Sequence, residues 1–326
     1  MKRVLGRSGF EVSALGMGCW AIGGPFYEGE DDLGWGIVDD RESIRAIQCG
    51  IDLGVNFIDT ADVYGAGHSE IVIAQALEGH RQQIVLATKF GLKFDEQSKQ
   101  VLGADASTAH IRGACEASLR RLNTDYIDLF QFHLNDFPAE ETAEVLETLD
   151  DLVGQGKIRS YGWSTDFKDR AETFAKHNNC TAIQHQINVI DDSPEVLEVC
   201  EKENLASINR GPLAMGLLTG KYDLASTIPA EDVRGKNSPG WMQYFKDGKP
   251  NTLWLNKLDS VREILTSGGR SLPQGALAWL WGRSERTIPI PGFRNEQQIV
   301  ENAEAMEFGA LSQDQIREID SILERN

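Results

Sequence analysis

The sequence predicts an α/β protein, a closed (β/α)8 TIM barrel with an N-terminal hairpin and long loops on its C-terminal face. Three observations lead there. Eight short apolar runs recur through the 326 residues, amphipathic helical stripes stand between them, and titratable residues fall where several runs end. Alternation of this count favours a closed barrel over an open doubly wound sheet. Residues 1–326 are read as a single domain, since α/β barrels routinely exceed the length at which other chains divide.

Residues 1–12 read as a short hairpin turned at Ser8-Gly9. The strands are expected at 14–19, 55–59, 84–89, 126–132, 158–163, 181–187, 205–209 and 286–290. Over 41–53, Ile44, Ile47 and Ile51 repeat at helical spacing, with Gly54 as a stop. Ile111, Ala114, Cys115, Leu119 and Leu122 form one stripe over 107–122, behind a Ser107 or Thr108 cap. Val145, Leu146, Leu149, Leu152 and Val153 do the same over 141–153, ended by Gly154 and Gly156. Ser193-Pro194 opens another helix with a cap and a first-turn proline. A last helix spans 312–323, where Ser312 and Gln315 match a capping box and Ile316, Ile319, Ile322 and Leu323 form the apolar side. These stripes are buried faces and carry no function. Three connections are too long to be simple links: 20–40, 90–106 and 210–251. Each follows a strand and so lies over the catalytic rim. The third, rich in Gly, Pro and charge, is expected to be mobile.

Asp plus Glu number 50 against 32 Lys plus Arg, a formal charge of −18. That balance argues against a nucleic-acid or anionic-membrane partner. No apolar run reaches the ~18–20 residues that span a bilayer, and Met1-Lys2-Arg3 is followed by no signal-like stretch. The five cysteines (Cys19, Cys49, Cys115, Cys180, Cys200) are scattered and form no C-x-x-C, which suits a reducing, cytoplasmic compartment. The histidines make no H-E-x-x-H pair, and no metal is expected. Two tempting motifs fail their context. Gly16-Met17-Gly18-Cys19-Trp20-Ala21 matches a dinucleotide fingerprint, but the Ile22-Gly23-Gly24-Pro25 that follows cannot open a helix. Gly216 to Lys221 is one residue short of a phosphate loop.

Chemistry gathers at three successive strand ends. Asp59 closes the apolar run Val55, Phe57, Ile58, and Tyr64 follows in a turn closed by Gly65 and Gly67. Taken alone, these two are a turn carboxylate and an interface tyrosine. Lys89 and His133, however, end the next two strands on the same rim. A lysine at a buried strand end is costly unless paired, and Asp59 is the evident partner. The ammonium is expected to lower the Tyr64 phenol from its usual value of about 10. A phenol so tuned can protonate a carbonyl oxygen as a hydride arrives at its carbon.

The pattern Asp59-Thr60-Ala61-x-x-Tyr64-Gly65, with Lys89 and His133 at the next strand ends, resembles the aldo-keto reductase superfamily. The likeness runs from Leu15 through Gly24 to the stretch from Pro291 to Asn302, nearly the whole chain. It implies a barrel that binds NADP(H) across its C-terminal face without a dinucleotide-binding fold, and an oxidoreductase interconverting an aldehyde or ketone and its alcohol. Tyr64 would be the general acid and base, Lys89 its pKa partner, Asp59 the partner of Lys89, and His133 the group orienting the carbonyl. Ser164 with Gln184 would hold the nicotinamide carboxamide, and Cys19, Trp20 and Thr165 would adjoin the cofactor. The run Gly211-Pro212-Leu213-Ala214-Met215-Gly216, with Lys221, would wrap the pyrophosphate. Gly292, Arg294, Gln298, Glu301 and Asn302 would bind the adenosine end, with Arg294 on the 2′-phosphate, a match for its planar donor fork.

Two positions depart from the pattern: Thr165 stands where the family commonly has Asn, and Arg210 where many members stack an aromatic ring on the nicotinamide. A guanidinium there can also stack on a flat ring, but it should repel the cationic oxidised ring more than the neutral reduced one and so favour reduced cofactor. The long-loop form is similar to bacterial aldo-keto reductases of inositol-utilisation and stress-response type. A regulatory, NADP-sensing protein like the potassium-channel β-subunits is the alternative; those tend to lack the histidine at the position of His133. A barrel hydrolase or lyase would need a metal cluster or a nucleophile with its base, and neither is evident. Trp20, Trp35, Tyr64, His133 and Leu134, with Phe26, Tyr27, Trp241 and Tyr244, are the candidate pocket lining for a small carbonyl or alcohol substrate. Oligomeric state leaves no mark in the sequence.

Overall fold

The computed structural model describes residues 1–325. Eight strands form one sheet in sequential order: β1 Met17–Gly18, β2 Phe57–Asp59, β3 Val85–Phe90, β4 Ile127–Phe132, β5 Ile158–Ser164, β6 Cys180–Gln186, β7 Ala206–Arg210 and β8 Thr287–Pro289. Neighbouring strands pair in parallel. The ring closes where the Gly16 and Gly18 amides donate to the carbonyls of Pro289 and Pro291, at 2.9 and 3.1 Å. That seam explains the two glycines set aside above. A Cβ on Gly18 would lie 2.4 Å from the Ile290 carbonyl oxygen, and one on Gly16 would lie 2.5 Å from the Phe57 ring. They permit closure, not phosphate binding.

All eight expected strands are present, with ends shifted by a few residues. The hairpin forms as expected, Lys2–Val4 against Glu11–Ser13. Its Leu5 and Val12 plug the lower end of the barrel beside Phe57, Ala87, Leu129, Ala182, Ile208 and Ile288. Alternation along each strand sends every second side chain inward. Above this apolar layer the inward positions of β2, β3, β4 and β6 become Asp59, Lys89, Gln131 and Gln184, all buried. On the opposite end, buried Asp128 accepts from Arg81 at 2.9 Å and Arg159 at 3.0 Å. That is the face where charge pairs serve stability.

The expected helices appear as α1 Asp40–Asp52, α3 Thr108–Arg121, α4 Ala143–Gly154, α6 Pro194–Lys202 and α10 Gln313–Ile322. The Ser312–Gln315 capping box is made. Five further helices were not read from the sequence: α2 His68–Ala76, α5 Lys168–Ala175, α7 Thr252–Leu265, α8 Leu272–Arg283 and α9 Glu296–Phe308. Each long connection also carries a small hairpin, Tyr27–Glu28 with Asp31–Asp32, Leu92–Phe94 with Val101–Ala104, and Phe245–Lys246 with Lys249–Pro250.

The third connection, expected to be mobile, is packed down over part of its length: 223–231 are largely exposed, while 233–245 hold buried residues. Val233, Tyr244 and Phe245 are buried, and Arg234 acts as its anchor. The Arg234 guanidinium binds both Asp232 oxygens at 2.8 and 2.7 Å, the Tyr222 hydroxyl at 2.8 Å and the Met215 carbonyl at 3.0 Å. It also lies 4.4 Å over the Trp35 ring, tying the third connection to the first.

Between barrel and helices, buried His185 shares a 2.7 Å hydrogen bond with Ser207. Burial pushes its pKa down to about 4. An unfolded histidine titrates near about 6.5, so below that pH the unfolded chain takes up the proton first. The contribution is complete above about pH 6.5, is lost as pH falls toward 4, and totals about 3 kcal/mol. Urea unfolding of the wild type should therefore lose more stability across that window than His185→Gln; parallel losses would contradict the assignment.

Candidate active site

The four strand-end residues converge. Lys89, fully buried, donates to Asp59 Oδ1 at 2.6 Å, to the Thr60 carbonyl at 2.8 Å and to the Tyr64 hydroxyl at 3.2 Å. The second Asp59 oxygen accepts from Gln131 and Gln184, each at 2.8 Å. His133 stands edge-on to the Tyr64 ring with centroids 5.9 Å apart. Gln131 is a site residue the sequence reading missed.

Electrostatics corrects one expectation. Burial raises the Tyr64 phenol above its ordinary value; Lys89 pulls it down, Asp59 pushes it up again, and the net direction is upward. The lowering expected from Lys89 is outweighed by burial of the phenol, with Asp59 adding to the rise. Burial alone would lower Lys89, but Asp59 and Tyr64 hold it above its usual range. His133 is held well below its ordinary value by burial, then by Lys89 and Arg210. At neutral pH the phenol keeps its proton and the imidazole is uncharged.

The turn that carries Tyr64 is braced from behind. Gly65 has φ +60°, and a Cβ there would sit 1.8 Å from the Gly23 carbonyl oxygen, so only glycine fits. Buried Glu70 accepts from Thr88 at 2.6 Å and Arg121 at 2.7 Å. Thr60 and Ser69 share a 2.8 Å hydrogen bond.

Trp20 stacks on Tyr64 at 5.9 Å, meets Trp35 edge-on at 5.5 Å and Trp241 at 6.2 Å. Phe26 lies 6.4 Å from the Tyr64 ring, and Leu134 is buried beside Gly91. Tyr244 leaves the expected lining: its hydroxyl donates to Asp191 at 2.7 Å within a buried network. The Cys19 side chain is buried in the core with Met17, its thiol donating to the Met17 carbonyl at 3.6 Å.

The remaining expected positions trace an arc over the rim. Ser164 and Arg210 end β5 and β7, and Gln184 lies two residues before the end of β6. Thr165 spends its hydroxyl on the Asn135 carbonyl at 2.6 Å, and the Gln184 amide nitrogen is committed to Asp59. Arg210 is not a free cation: it is ion-paired with Asp166 and donates to Gln186 at 3.2 Å. Beyond it, Gly211, Ala214, Met215 and Gly216 all have positive φ. For Ala214 and Met215 that conformation is strained, and such strain gathers at ligand clamps. Lys221 is exposed. Arg294 donates to the Trp35 and Ile37 carbonyls at 3.1 and 2.5 Å, and its amide donates to Gln298 at 2.8 Å. Beside it opens a cleft of about 240 Å³ lined by Val38, Asp39, Glu42, Arg294, Asn295 and Gln298. Glu301 follows on α9, and buried Asn302 reaches the Gly292 carbonyl at 3.5 Å. A Cβ on Gly292 would meet nothing nearer than 3.9 Å. A run of hydroxyl, strained backbone, lysine and arginine donors suits a long anionic ligand, and a dinucleotide fits this donor set.

Comparison with known proteins agrees. The model of the aldo/keto reductase family matches residues 14–324. Aldo-keto reductase YhdN of Bacillus subtilis is 34% identical over 323 residues, covering 97% of this chain and 92% of that protein. The NADH-specific methylglyoxal reductase of Escherichia coli is 31% identical, with both chains covered completely. A solved aldo/keto reductase from Klebsiella pneumoniae in complex with NADP and acetate superposes with TM-score 0.71 at 25% identity, covering 99% of this chain and 95% of that one.

Proposed function

Because the chain belongs to the aldo/keto reductase family, we propose that it is an NADP(H)-dependent oxidoreductase interconverting a small-molecule aldehyde or ketone and its alcohol. The carrying observation is the contact chain from Asp59 through Lys89 to Tyr64, with His133 against the Tyr64 ring. Bound NADPH would supply the hydride for the carbonyl carbon. Tyr64 gives its proton to the carbonyl oxygen, and Lys89 stabilises the phenolate that remains. His133, being neutral, orients that oxygen without adding charge. In the reverse direction the phenolate takes the alcohol proton.

Ser164 and the free oxygen of Gln184 would meet the carboxamide, residues 211–216 with Lys221 the pyrophosphate, and Gly292, Gln298, Glu301 and Asn302 the adenosine. Arg294 would take the 2′-phosphate, because a dianion outcompetes the two carbonyls that now hold it. Trp20, Trp35 and Trp241 give the substrate flat apolar walls, suited to an apolar or sugar-like carbonyl compound. Five free cysteines support a reducing cytoplasmic setting. Among the described residues no helix is long and apolar enough to cross a membrane.

The direct test follows NADPH and NADH oxidation over a panel of small aldehydes and ketones, with cofactor binding measured separately. Turnover on any of them supports the reading. Binding without turnover shifts weight to a cofactor sensor, and failure to bind either cofactor overturns it. Arg294→Met should raise KM for NADPH by at least about tenfold, the worth of a lost charge-assisted hydrogen bond, while KM for NADH moves less than about twofold. Equal losses would remove Arg294 from the 2′-phosphate.

A further inference from the structure

Arg210 ends β7 where its backbone partner on β6 is Gln186. Asp166 lies two residues beyond the end of β5. Its Oδ2 holds the Arg210 guanidinium, while its Oδ1 accepts the Gln186 amide at 2.7 Å and its own amide donates to Asn135 at 2.9 Å. Asp166 is therefore held by two hydrogen bonds before it meets the arginine, one on its carboxylate and one on its backbone. Gln186 is fixed in turn, donating to Asp191 at 2.8 Å and Tyr244 at 3.1 Å. Both members of the ion pair are about one-third exposed, 32% and 31%, so the pair faces the rim instead of the core. The Arg210 charge is also felt at the reaction centre, where it helps to hold His133 neutral.

From this geometry we propose that Asp166 sets the cofactor's redox preference, by neutralising the guanidinium against which the nicotinamide lies. The inference rests on the placement of the nicotinamide beside Arg210. The ring is neutral when reduced and cationic when oxidised. An unpaired arginine would oppose only the oxidised form, and an unpaired carboxylate would favour it. The closed pair does neither strongly, so the chain tolerates both forms and the reaction can run in either direction. Asp166 acts through Arg210 and is a positioning residue.

The test is a double-variant cycle read by binding alone. Dissociation constants for NADP+ and NADPH are measured by protein fluorescence for the wild type, Asp166→Asn, Arg210→Met and the double variant. Asp166→Asn should weaken NADP+ relative to NADPH by about three- to tenfold, the effect of one partly screened charge. Arg210→Met should shift the ratio the other way by a similar factor. The double variant should return close to the wild-type ratio, and Asp166→Glu should preserve it. A merely structural role would weaken both forms together and leave the ratio unmoved. Tight binding of both forms with one constant ratio through the cycle overturns this proposal and leaves the oxidoreductase reading intact. Absence of binding in the wild type overturns both.

Discussion

Tyr64→Phe is expected to lower kcat for carbonyl reduction by about 10³-fold, inside the about 10²–10⁴-fold range of general acid catalysis, with the Kd for NADPH changed less than about twofold. The substitution removes one hydroxyl and little else. Phenylalanine keeps the stack on Trp20 and the contact with Phe26. Lys89 keeps Asp59 and the Thr60 carbonyl, so the buried ammonium stays paired. The wild-type pH profiles carry the same signature. Because the phenol lies above its ordinary value and His133 well below its own, reduction should be level across the neutral range. Alcohol oxidation needs the phenolate and should climb with pH throughout. Tyr64→Phe retaining more than a tenth of wild-type kcat, or oxidation that fails to rise with pH, would displace Tyr64 from the proton transfer.

The eight strands were legible because each is a short apolar run with turn residues on both sides, and barrel strands are buried on both faces. Helices α1, α4 and α10 were legible for a different reason: one face is apolar and the other wet. α8 fails that test, since every residue from Leu272 to Trp281 is buried and no stripe remains to be seen. Asp59, Lys89 and His133 stood out as titratable side chains at or just after strand ends. Gln131 did not, because a neutral amide within an apolar run signals nothing until its neighbours are known. Period-two alternation from inward-facing Leu129 would have placed it inside the barrel. Apart from the Asp59–Lys89 pair, contacts between distant segments were closed to the sequence. Asp166 beside Arg210 and Arg234 over Trp35 join strand ends and loops whose separation along the chain says nothing of their proximity. The sign of the Tyr64 shift was misread for a related reason. Spacing revealed the neighbouring ammonium but not the burial that outweighs it.

Lys89→Met is expected to remove activity and also to destabilise the barrel, by about 3–5 kcal/mol, the cost of leaving a buried charge without its partner. In a chain of this size that is a fall in Tm of about 4–7 °C. The charge left behind is Asp59, still accepting from Gln131 and Gln184, two neutral donors that cannot replace an ammonium. Adding Asp59→Asn should recover most of the stability, because a neutral pair of similar shape no longer pays for an isolated charge. Activity should not return with it: Tyr64 would still lack the cation that stabilises its phenolate. The two readouts thus separate what the buried pair does for the fold from what it does for the proton. Full stability in Lys89→Met would mean that Asp59 is not the charge Lys89 answers. Recovery of turnover in the double variant would mean that Tyr64 needs no cation beside it.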